Sequence, residues 1–162
     1  MLTIGRREFL MGSVLSVAAG CSGQVTAQPV SDRVSRLLAA ARRQIGVTLS
    51  YDPAYTRLSF PNGDVARAKG VCTDVVIRAY RFGLSVDLQR LVHEDMAQHF
   101  AAYPALWGLT KPDSNIDHRR VPNLQTYFRR HAAAVAISTR AADYLPGDIV
   151  AWNLKGEAGY LA

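Results

Sequence analysis

The residues best suited to chemistry lie together in Gly70-Val71-Cys72-Thr73-Asp74-Val75-Val76-Ile77-Arg78-Ala79-Tyr80-Arg81. Their order places a cysteine at the start of a helix. Gly70 suits a sharp turn into it. Thr73 and Asp74 favour helix starts, and a carboxylate there meets the positive end of the helix dipole. An apolar run crossed only by Arg78 follows, and Gly83 suits a stop. A thiol so placed faces backbone N–H groups without intrahelical partners, which favour the thiolate. The chemistry this allows is nucleophilic attack, given a nearby base. The plainer alternative is a small buried hydrophobe, the commonest use of a lone cysteine.

A second group sits in the irregular stretch from Tyr103 to Asn123, in Asn115-Ile116-Asp117-His118-Arg119-Arg120. Asp117 could hold the His118 imidazole in one tautomer, and Arg119 with Arg120 could grip a ligand carboxylate. The alternative is a loop held together by its own hydrogen bonds. His93-Glu94-Asp95 lacks the second histidine one turn on that a zinc-protease helix needs, and His99 falls on another helix face. No metal site and no cofactor are expected.

The 162-residue chain suggests one domain after a leader. Arg6-Arg7-Glu8-Phe9-Leu10 and the short apolar run to Gly20 resemble a twin-arginine export signal. Residues 1–27 are therefore set apart from the fold, and residues 31–162 form the domain. Ala18-Ala19-Gly20-Cys21 resembles a lipoprotein box, and Val25-Thr26-Ala27 an ordinary processing site. The expected location is the periplasm, with membrane attachment only through a lipid on Cys21. Either cut leaves Cys72 as the single free thiol, with no internal disulfide.

The net charge of +6 is spread as arginine pairs along the chain, not gathered into a basic face. Nucleic-acid binding is thereby disfavoured, while an acidic polymer such as a cell wall remains a fitting partner.

Helices are expected where apolar residues recur at helical spacing. One starts at Ser31 or Asp32, carries Val34, Leu37, Leu38, Ala41 and Ile45, and ends at Gly46. A second is capped by Asp87 and carries Leu88, Leu91, Val92, Met96 and Phe100. Asn123 caps a short third. Tyr55 to Phe60 reads as a short strand before the Pro61-Asn62-Gly63-Asp64 turn, with Tyr51 and Tyr55 candidates to line a cleft. Residues 134–138 and 149–154 read as strands, the second entered from Pro146-Gly147-Asp148, with a hairpin turn at Lys155-Gly156-Glu157.

A cysteine at a helix start followed by Leu145-Pro146-Gly147-Asp148-Ile149-Val150 resembles the NlpC-type cell-wall amidases, which have a papain-like core. More specifically, the cysteine stretch resembles the exported bacterial family of unknown function DUF1287. So do Val92-His93-Glu94-Asp95-Met96, Asn115 to Leu124, and the Pro-Gly-Asp-Ile-Val turn. The resemblance implies an α+β fold of the NlpC type. Helices, one bearing the cysteine, would pack on a small antiparallel sheet. It implies Cys72 as nucleophile toward an amide bond, plausibly in cell-wall peptide, with Asp117, His118 and Arg119 binding substrate or orienting the site. It also implies a histidine in a His-Ile-Gly-Ile-like strand just past the Gly156 turn. Ala158-Gly159-Tyr160-Leu161-Ala162 stands there instead. The chain thus reads as a member shortened at its C-terminus, its sheet incomplete and its hydrolase activity lost or impaired. A non-catalytic envelope module binding peptide or wall polymer is the second expectation.

Overall fold

A computed structural model describes residues 2–5, 31–152 and 160–161. In chain order these form β1 (Leu2–Gly5), α1 (Asp32–Arg42), β2 (Ser50–Tyr51), β3 (Lys69–Gly70), α2 (Cys72–Leu84) and α3 (Leu88–His99). A single helical turn at Asp117–Arg119 precedes α4 (Val121–His131), β4 (Ala133–Val135), β5 (Ile149–Trp152) and β6 (Tyr160–Leu161). The architecture is α+β. The larger sheet has the order β4-β1-β5-β6 with antiparallel neighbours, and β2 with β3 makes a separate parallel pair.

Leu2–Gly5 lies within the stretch read from sequence as a leader. In the structure it runs between β4 and β5, with Thr3 opposite both Val135 and Val150. The arginine pair, Cys21 and the alternative processing site lie outside the described residues, as does the turn expected at Lys155–Glu157. Beyond that turn, Tyr160 and Leu161 pair back onto Trp152 and Ala151. Among the described residues no helix is long and apolar enough to cross a membrane.

The core gathers the apolar faces of α2, α3, α4 and β5. Ile77, Leu88, Val92, Met96, Leu124, Phe128 and Ile149 are buried in one cluster. The expected stripe is the inner face of α3 from Leu88 to Met96, while Phe100 falls in the short turn that follows the helix. Asp87 caps that helix through the Gln89 N–H at 3.1 Å. Its other carboxylate oxygen accepts the Asn62 N–H at 2.8 Å, so one side chain starts a helix and holds a turn.

Several elements differ from the sequence reading. Ile45 falls beyond α1 and is 80% exposed. The chain turns at that point, and Gln44 is buried instead, its amide donating to the Val75 carbonyl at 2.9 Å. Residues 55–60 form no strand. Their backbone bonds to loop side chains, as when the Leu58 N–H donates to Asn115 at 2.8 Å. Asn123 is not a cap: α4 begins at Val121, and the buried Asn123 amide donates to the Asp117 carbonyl at 3.1 Å. Gly83 does not stop α2, which runs to Leu84 and is capped by Ser85 in the left-handed region. Gly83 is instead where α1 crosses. A Cβ there would lie 2.8 Å from the Arg36 carbonyl oxygen and 2.9 Å from the Leu37 Cα.

That crossing gives a direct test. Gly83→Ala gains about 1 kcal/mol of helix propensity. The clash with backbone atoms, which cannot swing away, costs roughly 1–3 kcal/mol. We expect a net loss of stability in urea denaturation. A variant more stable than the parent would show that the two helices do not approach this closely.

Candidate functional site

The start of α2 is fixed by a chain of charged hydrogen bonds. The Val71 N–H donates to the Asp74 carboxylate at 2.7 Å, and the Asp74 N–H returns a bond to the Val71 carbonyl at 3.0 Å. This reciprocal pair satisfies two N–H groups at the helix mouth. Gly70 is needed for space, since a Cβ there would stand 3.0 Å from Asp74 Oδ2. Arg119 grips the same carboxylate with Nε and Nη2, each at 3.0 Å. It also donates to the Ala54 carbonyl at 3.0 Å and the Asp52 carbonyl at 2.9 Å. Thr73 Oγ1 closes the ring by donating to the Arg119 carbonyl at 2.8 Å. Asp74 and Arg119 are both buried.

Cys72 is half-buried and lines a cleft of about 130 Å³ together with Val71, Trp107, Ile116, Arg120 and Pro122. Tyr51, Pro53, Arg119 and Val121 complete the wall. No imidazole and no carboxylate are among these lining residues. The Arg120 guanidinium lies 4.1 Å from the centre of the Trp107 ring, a cation–π stack. Its Nη1 is buried without a hydrogen bond, and the nearest acid, Asp117 Oδ1, is 4.0 Å away. Trp107 and Gly108 both have φ near +65°, a tight left-handed corner that sets the ring over the arginine.

The structure brings two of the sequence candidates to the cleft wall, Cys72 and Arg119, and leaves two behind it. Arg119 spends its guanidinium on Asp74 and two carbonyls, which makes it a brace for the site. Asp117 is buried and accepts a short hydrogen bond from the Asp113 N–H. His118 is buried, lies off the cleft lining, and its Nδ1 has no partner. The remaining histidines are elsewhere: His93 packs edge-on to Phe60, while His99 and His131 approach Asp95 within 3.2 Å and 3.1 Å. Among the described residues no group of three or more His, Cys, Asp or Glu is placed to hold a metal ion. Sequence reasoning gave Trp107 no role. Its only signal was an aromatic next to glycine in a loop rich in special residues.

Burial pushes the Asp117 carboxyl up to about 6. Burial, with help from the Arg119 and Arg81 charges, pulls the His118 imidazole down to about 4. The two act on stability with opposite sign. From the ordinary value of 3.8 up to about 6, folded Asp117 keeps a proton the unfolded chain has released, so its contribution falls as pH rises. From 6.5 down to about 4, the unfolded chain takes up a proton that folded His118 refuses, so that contribution falls as pH drops. Side by side they offset each other. We expect Asp117→Asn to lose stability as pH falls from 6.5 to 4, and His118→Gln to lose it as pH rises from 4 to 6. Each trend should be on the order of a few kcal/mol. Urea midpoints measured across this range check both, and two flat profiles would show that neither residue titrates abnormally.

Comparison with known proteins places the chain. Residues 38–162 match the family described as Domain of unknown function (DUF1287). The chain is 61% identical over 121 residues to "Uncharacterized protein YijF" of Escherichia coli (strain K12), an alignment covering 75% of this chain. The chain spans 58% of that relative's length. No solved structure matches. A half-exposed thiol at a braced helix mouth, within a match that runs from α1 through β6, is thus part of a shared domain: the chain belongs to the DUF1287 family.

Proposed function

We propose that the cleft beside Cys72 is the working site of a cysteine hydrolase-type domain with a papain-like, NlpC-type core, acting on an amide bond in peptide. Cell-wall peptide is the substrate class and the periplasm the compartment. The observation that carries this reading is the position of Cys72 at the N-terminus of α2, half-buried and lining a cleft. In the reaction, the sulfur attacks the carbonyl carbon and the carbonyl oxygen takes up negative charge. N–H groups at the α2 mouth are the donors suited to that oxygen. The C–N bond then breaks, the amine leaves with a proton, and water hydrolyses the thioester.

The proton transfers need an acid–base group. In the resembling amidases it stands on the strand after the Pro-Gly-Asp turn. Here Leu145–Asp148 makes that turn, with the Asp148 N–H donating to the Leu145 carbonyl at 3.0 Å. It leads into β5, and β6, which pairs with β5, lies against α2. The absence of any imidazole from the described cleft lining favours a second reading, a non-catalytic envelope module that holds peptide or wall polymer in the same cleft.

Two measurements separate these. A peptidyl chloromethyl ketone should label Cys72 faster than it labels glutathione at pH 7, with peptide mapping to distinguish Cys72 from Cys21. Amine release from purified wall peptides, slow in this chain for want of an imidazole at the described cleft, should vanish in Cys72→Ser, while peptide binding persists. If Cys72 reacts no faster than glutathione and no amine is released, the hydrolase reading is lost and the binding module stands.

A further inference from the structure

We propose that Arg120 is a carboxylate-binding residue, which makes the ligand beside Cys72 a peptide carrying an acidic group next to the segment that reaches the thiol. The inference rests on reading the cleft as a peptide site and names what that peptide must contain.

Four observations converge on it. First, among the described residues the cleft wall carries two arginines and the mouth of α2, and no Asp or Glu. With Arg119 offset by Asp74, Arg120 is the cation of the wall, and a helix N-terminus adds to its sign. Second, one arginine is spoken for: Arg119 is saturated by Asp74 and two backbone carbonyls. Arg120 is not. Its guanidinium makes no hydrogen bond among the described residues, and its buried Nη1 has only an ion pair with Asp117 Oδ1 at 4.0 Å, longer than a hydrogen bond. A guanidinium short of hydrogen-bond partners is a group that a ligand can complete.

Third, the Trp107 ring covers one face of the guanidinium. That stack leaves the edge of the fork, the part that matches the two oxygens of a carboxylate. Fourth, the described cleft is small, about 130 Å³, which suits one short side chain or a chain terminus. The polymer would lie across the mouth and send its acidic group inside.

The test uses the full chain carrying Cys72→Ala, so that no covalent step intervenes. Calorimetry compares N-acetyl-alanyl-glutamyl amide with its glutamine isostere. We expect the glutamyl peptide to bind about tenfold tighter or more, as a charge-assisted fork-to-carboxylate contact should. The preference should vanish in Arg120→Gln, survive in part in Arg120→Lys, and weaken in Trp107→Ala, with circular dichroism confirming that each variant is folded. Equal affinity for the two peptides, a preference that survives Arg120→Gln, or no binding of either at millimolar concentration overturns the proposal. Displacement of the peptide by inorganic phosphate at lower concentration than by acetate overturns the carboxylate assignment.

The wild-type chain keeps the two readings separable. If glutamyl and glutaminyl chloromethyl ketones label Cys72 at the same raised rate, Arg120 loses its role and the hydrolase reading survives. If the glutamyl preference holds while Cys72 stays inert, the carboxylate site survives and the nucleophile is lost.

Discussion

The ion pair between Asp74 and Arg119 is the contact on which the site depends. Both groups are out of water, and the pair ties the first turn of α2 to the 117–119 turn and to the carbonyls at residues 52 and 54. Buried ion pairs are weak sources of net stability, because desolvating two charges costs about as much as their attraction returns. Their value here is positional. Three segments distant in sequence meet at one carboxylate and one guanidinium. Each bond has a direction, so the mouth of the helix can point only one way. The half-exposed setting of Cys72 follows from that orientation.

A second buried arginine does the same work further along α2. Arg78 donates to Asp64 at 2.8 and 2.9 Å and to the Val65 and Lys69 carbonyls at 3.1 and 3.0 Å. Asp74 and Arg78 are one helical turn apart and of opposite charge, the spacing at which such residues commonly pair with each other. Here each turns away to a different loop. The helix therefore serves as a spine from which both the 52–54 and the 64–69 segments hang, and those segments lead into and out of the small parallel pair beside the cleft. Lining residues from β2, the α2 mouth and the start of α4 come together because this spine sets their spacing.

What the sequence made legible was governed by local rules. The helix start at Cys72, the cap at Asp87, the apolar stripe of α3 and the turn before β5 are each specified within a few residues. Most of the misreadings concern long-range partners. Gly83 looked like a stop, since a glycine that ends a helix and one that admits a neighbouring helix are identical in sequence. Ile45 fitted the helical period, but the chain had already turned to bury Gln44. Residues 55–60 alternate like a strand, yet the Leu58 N–H goes to Asn115, 57 positions away, and the Ser59 carbonyl to Gln89. Arg119 and Arg120 are adjacent and chemically alike, and only the fold decides that one is saturated by hydrogen bonds and the other stacked under Trp107 at the cleft wall.

Gly70, Asp74 and Arg78 sit on one stripe of the α2 mouth, close enough that a Cβ at the first would touch the side chains of the other two. The three positions are therefore coupled through space. A larger residue at position 70 would press on the carboxylate that holds Arg119, and its effect would reach the 52–54 segment that Arg119 carries.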